Sequence, residues 1–209
     1  MVRVTAPALR FAALTMLALT AATPQQTLEW PFGQRSELPS PDGQHIVYGE
    51  PYKSGVREGP ELWLGHRGRA ERKRLLQLGS TARAVWFPDS RNFLVIDRES
   101  SSSITSYVYD VEGEIVLDMR AGLLRHDPEL GAVANGHFYV EAQRLLDTYT
   151  VRVAAFGHTD EAPVRCFRFI YTINRNGKIE RRSKRISPAT ATVGGERSEY
   201  RLQSGYSGH

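Results

Sequence analysis

The most regular hydrophobic pattern lies in the C-terminal half. Tyr149, Val151, Val153 and Ala155 alternate with Thr150, Arg152 and Ala154, the period of two that marks a half-buried strand. Phe167, Phe169, Tyr171 and Ile173 alternate in the same way, and Asn176-Gly177 follows them. Both residues of that dipeptide tolerate positive φ, so the pattern predicts a hairpin with a two-residue type I′ turn. In that register Tyr171 faces Arg182 and Phe169 faces Lys184. His137-Phe-Tyr-Val140 reads as a further strand, and Asp127-Pro-Glu-Leu-Gly131 before it reads as a decayed turn. After Ile186, Ser187-Pro188 breaks the strand pattern, and residues 187–209 read as a disordered tail of Ala, Thr, Gly, Ser and Arg.

The N-terminal half carries a repeat. Leu38-Pro-Ser-Pro-Asp-Gly-Gln-His-Ile-Val-Tyr48 and Val85-Trp-Phe-Pro-Asp-Ser-Arg-Asn-Phe-Leu-Val-Ile96 share Pro, Asp and a small residue before an apolar run. Pro41 and Pro88 pre-set φ, Asp42 and Asp89 can accept nearby backbone N–H groups, and Gly43 relaxes the exit of the turn. Leu62-Trp-Leu64 in one unit matches Tyr107-Val-Tyr-Asp110 in the other, each followed by a glycine turn at Gly65 or Gly68 and at Gly113. Arg74-Leu-Leu-Gln-Leu78 and Glu114-Ile-Val-Leu-Asp118 then supply a fourth strand to each. Asp42 and Asp89 are 47 positions apart, about the length of one propeller blade. Across residues 37–119 the chain resembles TolB-type, WD-like β-propeller repeats. The resemblance implies an all-β fold of antiparallel four-stranded blades, with a third unit from the alternating C-terminal segments and room for a fourth. With so few units the propeller is small or incomplete.

The first residues have a different character. Arg3 and Arg10 precede the apolar run Phe11-Ala-Ala-Leu-Thr-Met-Leu-Ala-Leu19, which is too short for a helix to span a bilayer core of about 30 Å. Thr20-Ala21-Ala22 offers small residues at a cleavage site. Residues 1–22 therefore read as a signal peptide cleaved near Ala22, with a periplasmic or secreted product. Residues 27–186 then form the propeller-like domain. The formal charge of +4 rests on 27 basic and 23 acidic residues, and Arg3 and Arg10 belong to the leader, which leaves the remainder near balance. The single cysteine, Cys166, can form no internal disulfide and reads as a buried, inert thiol.

Three features bear on function. The connections Glu50–Pro60, with Tyr52 and Arg57, and Asp97–Ser103 occupy equivalent places in the repeats and read as loops on one rim. The hairpin from Arg165 to Arg185 holds Arg165, Arg168, Arg175, Lys178, Arg181, Arg182, Lys184 and Arg185 against one acid, Glu180. That excess suits a polyanion or peripheral contact with an anionic membrane, or the protection of an edge strand against aggregation. Catalytic motifs are missing from the pattern: His45, His66, His126, His137 and His158 are scattered, and His126-Asp127 reads as a loop end. No catalytic, cofactor-binding or metal-binding residue is assigned. The expectation is an exported module that binds a protein or cell-envelope component rather than nucleic acid. The alternative is a hydrolase whose site is assembled from loops, with Asp97, Glu99 and Asp110 as its carboxylates.

Overall fold

The computed structural model describes residues 27–30, 36–50 and 60–189. The leader, the tail beyond residue 189 and residues 51–59, with Tyr52 and Arg57, lie outside the described residues. The first repeat is a four-stranded antiparallel meander of β2 (Ser36–Pro39), β3 (His45–Glu50), β4 (Glu61–His66) and β5 (Arg72–Gln77). The second is β6 (Thr81–Trp86), β7 (Asn92–Ser100), β8 (Ser103–Asp110) and β9 (Ile115–Asp118), with β1 (Thr27–Trp30) added antiparallel to β6.

The Pro-Asp turns take the same form in both units. Gly43 N–H donates to Ser40 O at 2.8 Å and Ser90 N–H to Phe87 O at 3.1 Å, with φ of +70° and +60° at Gly43 and Ser90. Ser90 holds the left-handed conformation without glycine's freedom, and its hydroxyl accepts the Asp42 N–H at 3.0 Å. The two turns thus pin the repeats to each other. The Asp42 carboxyl accepts from the Ser40 hydroxyl and the Gln44 N–H, and these bonds lower its pKa.

The third unit is β10 (Phe138–Leu145), β11 (Thr150–His158), β12 (Arg165–Asn174) and β13 (Ile179–Pro188), antiparallel throughout. It does not stack as a separate blade. Phe138 and Tyr139 pair in parallel with Ser103 and Ile104 of β8, while β9 occupies the rest of that edge. Ser106 bridges the divergence, donating to Val140 O and accepting the Ala142 N–H, both at 3.0 Å. The second and third units therefore form one nine-stranded sheet beside the four-stranded first blade. The fold is all-β and propeller-like, but open, and no fourth unit occurs among the described residues.

Strands β6–β8 are buried on both faces. Ala84, Trp86, Phe93, Val95 and Tyr109 pack on Leu38, Val47, Leu62 and Leu64 of the first blade. Val85, Leu94, Ile96 and Val108 pack into a second core with Val140, Val153, Phe169 and Tyr171. This explains the near-continuous apolar run of β7, which a strand covered on one face does not need. Each fully buried aromatic or aliphatic side chain stabilises by about 1.5–3 kcal/mol.

Several sequence expectations are corrected. Asp127-Pro-Glu-Leu-Gly131 is no turn: it opens helix α2 (Pro128–Val133), directly after α1 (Met119–His126). Asp127 caps α2 by accepting the Glu129 and Leu130 N–H groups, and Pro128 sits at the first helical position, where its lack of N–H costs nothing. The β12–β13 turn is not type I′. Gly177 alone has positive φ, +81°, and its N–H donates to Asn174 O at 2.8 Å, giving a three-residue loop. Tyr171 consequently pairs with Arg181, not Arg182; an extra residue at Arg182 then restores the expected register, so Phe169 does face Lys184. Asp97–Ser103 is not a rim loop, because β7 runs through Asp97 to Ser100 and turns at once into β8. Strand β13 also continues through Ser187 to Pro188, since an edge strand tolerates a proline that donates to nothing.

Candidate functional site

Register within β10–β13 divides its side chains between two faces. Val153, Phe169 and Tyr171 enter the core, while Tyr139, Phe156, Arg168 and Arg185 form one row on the opposite, outer face. The hairpin's cations divide accordingly.

On the core side they are matched by α2. Arg181 pairs with Asp127 at 3.0 Å and Glu129 at 2.8 Å, and Lys184 pairs with Glu129. Asp127 also accepts the buried Tyr171 hydroxyl at 2.8 Å. Burial pushes the Asp127 carboxyl upward, but Tyr171, the Leu130 and Glu129 amides and Arg181 outweigh it and hold the pKa below the usual value. For Tyr171, burial and donation to Asp127 both raise the phenol. At the hairpin tip, Arg175 pairs with Asp89 of the second Pro-Asp turn and covers the Tyr149 ring at 4.0 Å. Lys178 and Arg182 share Glu180 at 2.8 and 2.7 Å.

The outer row differs. Arg168 and Arg185 are exposed, sit directly opposite each other, and make no ion pair or side-chain hydrogen bond among the described residues. Arg165 likewise has no ion pair among the described residues. Beside Arg168 stands Phe156, stacked on Tyr139 with centroids 5.2 Å apart, both rings half-buried. Tyr139 is anchored by its hydroxyl to Ser101 O at 3.0 Å. The next acid on this face, Glu141, lies 3.8 Å from Arg83. The row is therefore a local positive charge without an internal counter-ion.

The carboxylates Asp97, Glu99 and Asp110 are not brought together as a trio. Asp97 is 2% exposed at the junction of the first two blades, and its Oδ1 has no partner. Burial, with the charge of Glu99, pushes its pKa up to about 6 against the help of the Gly79 N–H. Gly79 is required for that approach, because a Cβ there would lie 2.1 Å from Glu99 O. Glu99 accepts from Ser103 at 2.7 Å, whereas Asp110 closes the turn at the other end of β8 by accepting the Glu112 and Glu114 N–H groups. Tyr109 also has a buried, unpartnered hydroxyl, and burial raises its pKa to about 12.

The scattered histidines do meet in pairs. His45 contacts His66 edge-on, and His137 Nδ1 lies 2.6 Å from His158 Nε2. Cys166 is opposite His158 on β12 and is half-buried on the outer face, not in the core. No group of three His, Cys, Asp or Glu side chains among the described residues could hold a metal ion. His126 is exposed, and Asp127 is committed to capping.

Sequence reasoning missed the outer row, although a signal was present. The register that sets Phe169 against Lys184 also sets Arg168 against Arg185. The histidine pairs and the Tyr139–Phe156 stack depended on cross-strand registers that periodicity does not supply.

No family model and no curated protein matches the chain. Among solved structures it is similar to the beta-propeller domain of the trilobed protease from Pyrococcus furiosus, described as an open velcro topology. That match has 18% identity and a TM-score of 0.41, covering 71% of this chain and 42% of that one. An acylaminoacyl peptidase in complex with Z-Gly-Gly-Phe-chloromethyl ketone matches at 16% identity and a TM-score of 0.40, with 71% and 25% covered. The acylaminoacyl peptidase of Pyrococcus horikoshii gives 16% and 0.40, with 72% and 25% covered. The chain spans less than half the length of each.

Proposed function

We propose that the protein is an exported binding module that engages a protein or cell-envelope component through the outer face of β10–β13. Export rests on the leader pattern of residues 1–22. The observation that carries the binding reading is the unpaired, face-to-face arrangement of Arg168 and Arg185. Edge protection accounts for Arg185 on β13, because charged residues on an edge strand deter pairing with another chain. It does not account for Arg168, which lies on β12, an interior strand with partners on both sides. Opposed like charges destabilise a sheet, and a partner that supplies negative charge removes that cost. The strands that carry the row pack their other face into the second core.

The test is crosslinking in cells from a photoreactive residue at Ser183, which shares this face, with exposed Glu71 near β5 as the comparison position. A discrete adduct from Ser183, absent from Glu71 and reduced at least tenfold in Arg168→Ala/Arg185→Ala, supports the reading. Identical patterns from both positions sink it. Mass measurement of the recovered protein tests export separately: the mature chain begins after Ala22.

A further inference from the structure

Resting on that reading, we infer that Arg168 and Arg185 form an oxyanion site for the phosphate groups of a phosphorylated polysaccharide. Within the hairpin every other cation except Arg165 has a carboxylate: Arg175 has Asp89, Lys178 and Arg182 have Glu180, and Arg181 and Lys184 have Glu129. Among the described residues no carboxylate offsets the opposed pair. The two arginines stand opposite each other on adjacent strands, whose backbones are roughly 4.8 Å apart, so one small anion is within reach of both side chains. A phosphate monoester carries about −1.5 to −2 charges at neutral pH and accepts bidentate bonds from arginine. A carboxylate or a sulfate ester brings a single charge and leaves one guanidinium uncompensated.

The surroundings select among phosphate carriers. A nucleic acid presents phosphates continuously and needs a track of cations, but the neighbouring row on this face holds Glu141, Ala154, Ile170 and Ser183 and separates the pair from the next opposed arginines, Arg144 and Arg152. Two opposed pairs kept apart by that row, rather than a continuous track, match phosphates spaced along a neutral polymer. A membrane surface calls for projecting apolar anchors, whereas Phe156 and Tyr139 are half-buried and stacked on each other. Their ring edges carry partial positive charge and add to the field beside Arg168.

The experiment uses the purified full chain and five probes: dextran phosphate, dextran sulfate, unmodified dextran, polyglutamate, and vesicles of phosphatidylcholine with phosphatidylglycerol. Dextran phosphate is expected to bind at least tenfold more tightly than dextran sulfate or polyglutamate, with no binding to plain dextran or vesicles. Arg168→Ala/Arg185→Ala should lose that binding at least tenfold, and Arg168→Lys/Arg185→Lys should fall between, since charge remains but the forks are lost. Lys73→Ala, at a paired cation on β5, should bind as the parent does. Equal binding of polyglutamate or dextran sulfate, vesicle binding as tight as dextran phosphate, or an unchanged double alanine variant overturns the inference. A specific Ser183 adduct in cells together with no dextran phosphate binding removes the ligand assignment alone. Arginine-dependent dextran phosphate binding without such an adduct removes the cellular reading instead.

Discussion

Strands β5 and β13 both lie at sheet edges and both are basic, but their charges are handled differently. On β5, Arg72 reaches Glu50 at 2.9 Å, Lys73 pairs with Glu114, and Arg74 reaches Glu61 at 3.1 Å. Every cation of that edge has a carboxylate. The core-facing side of the hairpin follows the same rule, with α2 supplying Asp127 and Glu129. Its outer face does not. A basic edge protects against aggregation whether or not its charges are paired, so β5 shows what protection looks like without a ligand. The outer row of β12–β13 departs from that pattern, and the departure separates binding from protection.

The largest effect is expected where the two edges are most alike, at a buried carboxylate paired with an arginine. Asp127→Ala removes the cap of α2, the acceptor of the buried Tyr171 hydroxyl and one partner of Arg181. The loss should be about 2–4 kcal/mol, the sum of a lost cap and a buried hydroxyl left without its acceptor, since Arg181 is exposed and keeps Glu129; urea denaturation reads it. Glu61→Ala on the β5 side removes bonds to Arg74 and Trp63. It should cost only about 1–2 kcal/mol, because Arg74 is 58% exposed and water replaces its partner. Equal losses at the two sites would break the comparison.

A third buried carboxylate sharpens it. Asp97 is as buried as Asp127 but has no cation, and its folded pKa is raised to about 6 by burial first and Glu99 second. The unfolded chain releases this proton near pH ~3.9, whereas the folded chain holds it until near pH 6. Between those values the native state binds more protons, so stability falls as pH rises through the window and the penalty is complete above it. A shift of about two units corresponds to roughly 3 kcal/mol. Asp97→Asn should remove this part of the slope between pH 4 and about 7 in urea titrations, whatever its effect on absolute stability. Persistence of the full slope in the variant would show that Asp97 is not its source.

These carboxylates also mark the limit of what was legible beforehand. The Pro41-Asp42 and Pro88-Asp89 turns, the strands after them and the alternating β11 and β12 could be read because turn chemistry and period-two patterning are local. Residues whose role depends on a distant partner could not. Asp127 reads as a turn former until Pro128 is recognised as the first residue of a helix, and its bonds to Tyr171 and Arg181 span 44 and 54 positions. Asp97 reads as the start of a loop because its polar successors Arg98 to Ser103 hide the continuation of β7. The parallel contact of β10 with β8, which joins the second and third units, has no signature in either strand. The outer row stood between these extremes: hairpin register implied Arg168 opposite Arg185, but only the ion pairs around them show that these two lack partners.

The smallest expected effect tests that lack directly. Opposed like charges on neighbouring strands cost about 0.2–1 kcal/mol, so Arg168→Ala should stabilise the protein by a similar few tenths, despite losing the packing of the arginine stem. The gain should shrink with added salt, since exposed charges are screened within about 8–10 Å at moderate ionic strength. Lys73→Ala, which breaks the exposed pair with Glu114, should instead lose about 0.2–1 kcal/mol. Opposite signs for the two substitutions in low-salt urea titrations are what the comparison requires. If Arg168→Ala destabilises in low salt as Lys73→Ala does, the guanidinium has a compensating interaction, and the row is structural charge rather than a binding site.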